Sequence, residues 1–244
     1  MKNPSYVGLS LQVALQRKME VVANNLANMS TTGFKAQRQM FVQFMIPQTG
    51  SGAPADKMTM VSDYGSYRDN SAGPIQTTGN PLDVALTGDG YLTVQGPAGP
   101  LYTRGGSFAI AGDGTLSDQA GHPVLDESGS PIVIQQDDKE IAISEDGVIS
   151  GRRGQIGKLG VFKFARPNFL QPVGGGLFQA TDPALADPDT KLRQGALEGS
   201  NVQPVSEMTQ MIDIQRSYET VANLLQSQND TEKDMISKLS NTTA

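Results

Sequence analysis

The residue types that this chain lacks exclude several classes of protein. Its 244 residues include no cysteine and no tryptophan, and His122 is the only histidine. Disulfide frameworks, thiol nucleophiles and zinc sites built from thiolates or several imidazoles are therefore excluded. The absence of tryptophan, with only 6 Tyr and 8 Phe, also disfavours an aromatic platform for stacking sugars. The chain therefore lacks the residues on which many common classes of enzyme depend.

Charge and hydropathy remove further classes. The net charge of −6, with no run of clustered Lys or Arg, argues against a nucleic-acid binder, because phosphate recognition relies on such clusters. No apolar run is long enough to span a membrane. Gln12, Gln16, Arg17 and Lys18 interrupt the N-terminal apolar residues, so a cleaved secretory signal is not predicted. A cytoplasmic protein and a protein exported without a cleaved signal both remain compatible with this start.

No motif in the chain predicts catalysis or ligand binding. The segments DGT at 113–115 and DESG at 126–129 lack the order of an aspartic-protease motif and the ligand spacing of an EF-hand, so both are interpreted as hairpin turns. The glycines at 174–176 are not followed by a helix start with a phosphate-binding lysine. His122 has no Ser or Cys nucleophile pattern nearby and is interpreted as a loop residue. We therefore assign no catalytic residue, no cofactor and no metal.

An amphipathic helix is predicted at each end of the chain. Asn3 and Pro4 form a favourable helix start, and helical spacing continues to about residue 28, with Gly33 as the break. The second helix is predicted from Pro204 at least to Leu225, and apolar spacing resumes as far as Leu239. The apolar stripes comprise Leu11, Leu15, Met19, Val22, Leu26 and Met29 in the first helix, and Val205, Met208, Ile212, Tyr218, Ala222 and Leu225 in the second.

The sequence between the helices predicts strands. Residues 36–80 are rich in Gly, Ser and Pro and predict an extended connecting segment, with a flexible linker as the alternative. Short apolar runs then alternate with Asp-Gly and Gly-Pro turns from 81 to 190, which is typical of antiparallel β-structure. The predicted fold class is α+β, with helical segments at 1–35 and 201–244 and a central antiparallel β-rich domain over 81–200.

The two terminal helices are predicted to pair as a coiled-coil-like unit, because each has an apolar stripe that no sequence neighbour covers. Residues 1–35 carry four basic and one acidic residue, whereas 205–239 carry three basic and six acidic residues, so opposite charge favours their pairing. Exposed ion pairs contribute only about 0–1 kcal/mol each, so apolar burial must supply the affinity. An intramolecular hairpin and packing against neighbouring subunits in a polymer both remain open.

Four stretches resemble the flagellar rod and hook family and occur in the family's order. They are ANNLANMSTTGFK at 23–35, GNPLDVALTGDGYLTV at 79–94, YTRGGSFAIAGDGTLSDQAGHPVL at 102–125 and GALEGSNVQPVSEMTQMIDIQRSYE at 195–219. The length and the opening residues are most similar to the proximal rod members, with distal rod members next. The resemblance implies a structural subunit of the bacterial basal-body rod, not an enzyme, that polymerises through its terminal helices to form the drive shaft and export channel.

The resemblance also implies partners, location and interface residues. The partners would be other copies of this chain, other rod proteins and the flagellar type III export apparatus, with no nucleic acid and no small-molecule substrate. The location would be the periplasmic rod, reached without a cleaved signal peptide. The alternative from another class is a β-rich binding module, tethered by the helices, that recognises a carbohydrate or a surface partner. The expected assembly interface has apolar contacts from Leu11, Leu15, Val22, Leu26, Met208, Ile212, Tyr218 and Leu225, and polar contacts from Gln215, Arg216 and Glu219. It also includes an Asn-rich turn formed by Asn24, Asn25, Asn28, Gly33 and Phe34. In that turn Gly33 is expected to break the helix and Phe34 to anchor the turn.

Overall fold

Helices stand at both ends of the chain, and strands fill the sequence between them. A computed structural model describes residues 3–47, 57–135 and 140–242. Helix α1 spans Asn3–Ala27 and helix α2 spans Pro204–Thr242, so both predicted helices are confirmed and the second reaches beyond Leu239. Since the strand pairs are mostly antiparallel, the predicted α+β class is confirmed as well.

The strands are numbered β1 to β17 in chain order. They are β1 Gln37–Pro47, β2 Lys57–Arg68, β3 Ile75–Thr77, β4 Val84–Thr87, β5 Tyr91–Gly96, β6 Gly99–Thr103, β7 Phe108–Ile110, β8 Leu116–Asp118, β9 Ala142–Ile143, β10 Val148–Gly151, β11 Gly154–Lys158, β12 Val161–Lys163, β13 Gln171–Gly174, β14 Leu177–Gln179, β15 Leu185–Ala186, β16 Lys191–Gln194 and β17 Ala196–Glu198. A short 3₁₀ helix at Pro167–Phe169 precedes β13.

The chain divides into two compact units. The helical unit contains residues 1–27, 37–67 and 203–244, and therefore holds α1, α2, β1 and most of β2. The β-rich unit contains residues 28–36 and 68–202, and therefore holds the remaining strands. No described helix is long and apolar enough to cross a membrane.

In the helical unit, α1 packs against α2, and β1 pairs with β2 in a two-stranded sheet. The sequence predicts only an extended connecting segment over 36–80, yet the structure forms two of its longest strands there. The strand β2 reads KMTMVSDYGSYR and contains the β-prone residues Thr, Val and Tyr. The many Gly, Ser and Pro residues around this strand favour turns and mask its β-propensity when the segment is considered as a whole. The two strands were therefore not predicted.

The β-rich unit has two apolar cores. Its largest sheet has the strand order β13-β14-β6-β5-β12-β15, and β11, β10 and β9 form a second sheet. The larger core is aliphatic, whereas the smaller one is aromatic, with the rings of Tyr102 and Phe164 packed edge to face at 4.8 Å. The guanidinium of Arg68 lies 4.1 Å from the ring centre of Phe178 beside this aromatic core. Both cores bury their side chains within one chain, as an independently folded domain requires.

Two of the predicted Asp-Gly hairpins form, and a third does not. The turns at Asp113-Gly114 and Asp146-Gly147 join β7 to β8 and β9 to β10, and both glycines have positive φ, 87° and 84°. The segment 88–90 does not form a hairpin, because β4 pairs with β16 from the end of the unit instead of with β5. The local turn pattern there is the same, but a long-range strand pairing overrides it.

Candidate assembly interface

Helices α1 and α2 run antiparallel along a shared seam. Near one end, Asn25 Nδ2 lies 3.2 Å from Glu207 Oε2, and near the other end Gly8 faces Leu225. A Cβ atom at Gly8 would lie only 2.7 Å from Leu225 Cδ2, so the glycine lets the helices approach closely there. A residue of α1 and the residue of α2 that faces it therefore have numbers whose sum is about 232. The predicted residues Leu11, Leu15, Val22, Leu26, Tyr218 and Leu225 are all buried or half-buried.

Asn25 is fully buried and joins three elements of the helical unit. Its Oδ1 accepts from the Gln37 N–H at 2.8 Å, and its Nδ2 donates to the Gln37 carbonyl at 2.9 Å. The side-chain amide thus reproduces the pairing that a neighbouring strand would give β1. Its second amide hydrogen is donated to Glu207 on α2. Because every polar atom of this buried amide has a partner, its desolvation cost is compensated.

Glu207, an acidic residue in the first turn of α2, is also buried. Its Oε1 accepts a hydrogen bond from Arg38 Nη1 of β1 at 2.7 Å. Asn25, Glu207 and Arg38 therefore connect α1, α2 and β1 through one polar network. Such a network fixes the register of the seam, because a shift by one helical turn would leave buried polar groups without partners.

The remaining residues of the Asn-rich turn have separate roles. Asn24 is exposed, whereas Asn28 is half-buried and its Oδ1 accepts from Thr31 Oγ1 at 3.1 Å. The expectation that Gly33 breaks the helix is wrong, because α1 already ends at Ala27. Gly33 instead has a φ of 68°, and a Cβ there would lie 2.5 Å from the backbone carbon of Arg104. This position therefore requires glycine for a close backbone approach within the β-rich unit.

Three buried charges form an ion cluster in the β-rich unit. Lys35 Nζ lies 2.6 Å from Glu198 Oε1, and Arg104 Nη2 lies 2.8 Å from Glu198 Oε2. All three residues are less than 5% exposed. The Gly73 N–H and the carbonyls of Ser71, Gly88 and Gly90 complete the hydrogen bonds of the cluster. Buried charges are tolerated only with partners of this kind.

The pKa values of the cluster show how its charges balance. Burial raises the pKa of Glu198, but the charge of Arg104 and the hydrogen bond from Lys35 outweigh burial, and the net pKa is lowered. Burial lowers the pKa of Lys35, and the hydrogen bond to Glu198 offsets only part of this effect. Glu198 is therefore held in its charged form by two cations.

Asn201 ties the turn at 28–36 to the end of the β-rich unit. Its Oδ1 accepts from the Ala36 N–H at 2.7 Å, and its Nδ2 donates to the Asp69 carbonyl at 2.8 Å. The Phe34 carbonyl accepts from the Asn201 N–H at 3.4 Å, while the Phe34 ring is half-buried. Asn201 and the three charged residues of the cluster were not among the predicted interface residues. All four lie within the stretches that carry the family resemblance and near glycine, which was the available signal.

A second apolar stripe of α2 points away from the seam. Met208 and Ile212 are 47% and 49% exposed, and Gln215, Arg216 and Glu219 are exposed as well. These five predicted residues are therefore exposed and not buried in the seam. On α1, Tyr6, Leu9 and Val13 are also exposed, at the spacing of one helical face. An assembly role for the five residues of α2 stays a prediction.

The described residues hold no cluster of three or more His, Asp or Glu side chains that could bind a metal. His122 lies in a loop, where its Nδ1 is 2.9 Å from Asp118 Oδ2 and its N–H donates to Asp118 Oδ1 at 2.8 Å. Asp118 therefore orders this turn, as short polar side chains commonly do. The interpretation of His122 as a loop residue is confirmed.

Three family models match the chain in order along its length. The model for the flagella basal body rod protein matches residues 6–35, the D1 domain of the flagellar hook protein FlgE/F/G matches 85–151, and the C-terminal part of the flagellar basal body rod FlgEFG protein matches 193–239. The flagellar basal-body rod protein FlgF of Caulobacter vibrioides is 37% identical, with 98% of each chain covered. This chain belongs to the flagellar basal-body rod protein family. Other rod proteins that it resembles are FlgF of Mesorhizobium japonicum, 34% identical with 92% of each chain covered, and FlgG of Bacillus subtilis, 31% identical with 95% of this chain and 97% of the relative covered.

The matched ranges include Asn25 and Glu207 of one polar network and all three charged residues of the ion cluster, whereas Arg38 lies outside them. The first match contains Asn25 and Lys35, and the last contains Glu198, Asn201 and Glu207. The rod-family segments therefore supply the contacts that bring the two ends of the chain together within each unit. The exposed stripes of α1 and α2 lie in the same two segments.

Proposed function

We propose that this chain is a FlgF-like structural subunit of the flagellar rod that polymerises through its terminal helices. The observation that carries the proposal is the exposed apolar surface of those helices. Tyr6, Leu9 and Val13 on α1 and Met208 and Ile212 on α2 are large apolar side chains left in contact with solvent. Covering one such side chain contributes about 1.5–3 kcal/mol, so a neighbouring subunit would gain affinity by burying them.

The two helices act in this proposal as a coiled-coil-like pair. The covered positions of α2 follow a seven-residue repeat, with Glu207, Ile214 and Val221 in one row and Met211, Tyr218 and Leu225 in the other. Such a repeat keeps one face of a helix toward its partner over several turns. The covered face holds the hairpin together, and the exposed face remains for assembly.

The partners follow from the same proposal. They are other copies of this chain, other rod proteins and the flagellar type III export apparatus, which would deliver the chain to the periplasmic rod without a cleaved signal peptide. The relatives named FlgF support a proximal rod position, and those named FlgG leave a distal position as the alternative. The proposed role is structural and assigns no catalytic step to any residue.

The test is deletion of the gene in its native host, followed by complementation, with swimming assays and electron microscopy of basal bodies. Wild-type protein should restore rods, whereas Ile212→Asp should not, because it places a charge on the exposed apolar face. Thr220→Asp is the matched control, since Thr220 is exposed on α2 outside the apolar stripe. Leu26→Asp gives a further test, although Leu26 is half-buried and its loss also weakens the seam.

Normal rods and swimming in the deletion strain would contradict the proposal and favour the binding-module alternative. That alternative needs exposed aromatic rings for a carbohydrate. Among the described residues of the β-rich unit, Phe169 is the one exposed aromatic side chain, and the guanidinium of Arg166 already covers its ring at 4.6 Å. The β-rich unit therefore offers a poor stacking surface.

A further inference from the structure

The side chains of Lys35 and Asn201 meet at one backbone carbonyl in the β-rich unit. Lys35 Nζ donates to the Ser71 carbonyl at 2.7 Å, and Asn201 Nδ2 donates to the same oxygen at 3.1 Å. The two nitrogen atoms are therefore no more than 5.8 Å apart, which is the sum of the two distances. Lys35 is only 2% exposed. A buried amine thus lies close to a carboxamide, and these are the two groups from which an amide cross-link forms.

Glu198 is placed to take a proton from the Lys35 amine. Its Oε1 accepts a hydrogen bond from Lys35 Nζ at 2.6 Å. Burial and the nearby charge of Arg104 lower the pKa of Lys35, and the hydrogen bond to Glu198 offsets only part of this effect. Proton transfer along the Lys35–Glu198 bond gives a neutral amine, which is the form that attacks a carbonyl carbon.

The amide of Asn201 is held by groups that favour such an attack. Its Oδ1 accepts from the Ala36 N–H at 2.7 Å, so a donor already faces the oxygen on which negative charge would develop. Its Nδ2 donates to the carbonyls of Asp69 and Ser71 and lies 3.1 Å from Ser71 Oγ. These contacts fix the orientation of the amide near Lys35, which lowers the entropy cost of bringing the two groups together.

We propose that Lys35 and Asn201 form an intramolecular isopeptide bond once the β-rich unit has folded. Lys35 Nζ attacks Asn201 Cγ, and the bond between Cγ and Nδ2 breaks. Glu198 relays two protons in turn from Nζ to the departing nitrogen, which leaves as an ammonium ion, and Glu198 ends as the carboxylate from which it started. One ammonium side chain and one carboxamide thus give one secondary amide and one ammonium ion, without any change of oxidation state.

The charges of the ion cluster favour this reaction. Before it, the cluster holds two buried cations, Lys35 and Arg104, and one carboxylate, Glu198. The bond removes the charge of Lys35 and leaves Arg104 and Glu198 as a balanced pair, with Arg104 Nε 2.9 Å from Glu198 Oε2. Since an excess buried charge is costly, its removal stabilises the folded unit.

The bond would close the β-rich unit between its first and its last segment. Lys35 lies in the turn at 28–36, and Asn201 follows β17 near the end of the unit. A cross-link over so long a loop stabilises a fold by restricting the unfolded chain. The chain has no cysteine, so a disulfide cannot supply this restriction. The inference concerns the β-rich unit alone and does not depend on the proposed function.

The mass of the purified full-length protein tests the inference without any variant. We expect a mass lower than that of the sequence by one molecule of ammonia. Trypsin should then fail to cleave after Lys35, and a branched peptide should join residues 19–38 to residues 194–216. In freshly made protein the modified fraction should increase with time at a rate that does not change with protein concentration, because the bond forms within one chain.

Three variants assign the roles of the residues, with circular dichroism as the check of folding. Lys35→Arg keeps the positive charge but has no amine that can attack, so it should give no branched peptide. Glu198→Gln keeps a polar side chain but cannot relay protons, and it should slow the reaction by about a hundredfold, a usual contribution of a positioned proton carrier. Lys158→Arg is the matched control, because Lys158 is exposed and pairs only with the exposed Glu127 in the described ion pairs.

Several outcomes would overturn the inference. The full sequence mass in folded wild-type protein after prolonged incubation would do so directly. Loss of ammonia without the branched peptide would indicate a succinimide at an asparagine instead of a cross-link. A branched peptide that persists in Lys35→Arg, or one that forms equally fast in folded Glu198→Gln, would contradict the assigned roles. In each case the rod function would stand or fall by the deletion experiment alone.

Discussion

The two units of this chain bury their apolar side chains to very different extents. Of the 27 described apolar residues in the buried core, only Ala14, Val22 and Ile214 lie in the helical unit. The β-rich unit holds the others, most of them in a mainly aliphatic and a mainly aromatic core. The helical unit instead exposes large apolar side chains on both helices. The described side chains of the β-rich unit therefore form cores within the chain, whereas those of α1 and α2 leave apolar surface exposed.

The polar networks differ in the same way. The ion cluster around Glu198 is enclosed within the β-rich unit. The network around Glu207 is buried on α2 but reaches the surface through Arg38, whose side chain is 33% exposed. Stability should therefore depend mainly on the β-rich unit, and assembly mainly on the helices. The following experiments test that division.

The largest effect is expected from removing the charge at the centre of the ion cluster. Glu198→Ala leaves Lys35 and Arg104 buried without a counter-charge, which costs about 3–5 kcal/mol in the free energy of unfolding. Urea unfolding followed by circular dichroism measures this loss. Lys158→Ala is the control, because the pair of Lys158 with Glu127 is exposed and contributes about 0–1 kcal/mol. Equal losses for the two variants would show that the cluster does not hold the β-rich unit together.

A smaller effect is expected from pH. The lowered pKa of Glu198 means that its charge stabilises the folded state above the unfolded pKa of about 4.3 and that this contribution is lost as the pH falls below it. Glu198→Gln lacks this titration. The difference in unfolding free energy between wild type and Glu198→Gln should therefore shrink between about pH 5 and pH 3. A difference that stays constant over this range would mean that the carboxylate does not titrate with folding.

The smallest effect on the monomer is expected at the exposed face of α2. Met208→Ala and Ile212→Ala should each change the free energy of unfolding by less than about 0.5 kcal/mol, because about half of each residue is exposed to solvent. Leu92→Ala in the aliphatic core should cost about 2–5 kcal/mol. In complementation assays, however, Met208→Ala and Ile212→Ala should give fewer rods than wild type, although the stability of the monomer is unchanged. Stable monomers that also assemble normally would remove these residues from the interface.

The sequence predicted the elements whose signal is local. Helical spacing predicted α1 and α2 because seam positions such as Leu15, Val22 and Leu225 recur every turn or two. Asp113-Gly114 predicted a hairpin because positive φ is a property of the residues themselves. Met208 and Ile212 have the same spacing as the seam residues, yet they lie on a different face. Periodicity identifies an apolar stripe without telling which of two stripes a partner in the same chain will cover.

The contacts between distant segments could not be predicted in this way. Lys35 and Glu198 are 163 positions apart, and Asn25 and Glu207 are 182 apart. A charged residue near glycine usually remains in solvent, so nothing local separates Glu198 from an ordinary surface glutamate. The partner becomes evident only when β17 pairs with β3 and the turn at 28–36 packs nearby. Family resemblance selected the right stretches and Asn25 within them, but not Lys35, Glu198 or Glu207.

The span between Lys35 and Glu198 has a consequence for the order in which the molecule is completed. A ribosome releases the chain from its N-terminus, so Lys35 emerges long before its counter-ion and before Asn201, which holds the Ala36 and Phe34 backbone. During that interval the turn after α1 lacks the residues that hold it in its final conformation. The first segment to be made is therefore among the last to reach its final geometry, and a nascent chain shorter than about 200 residues cannot hold α1 and α2 together.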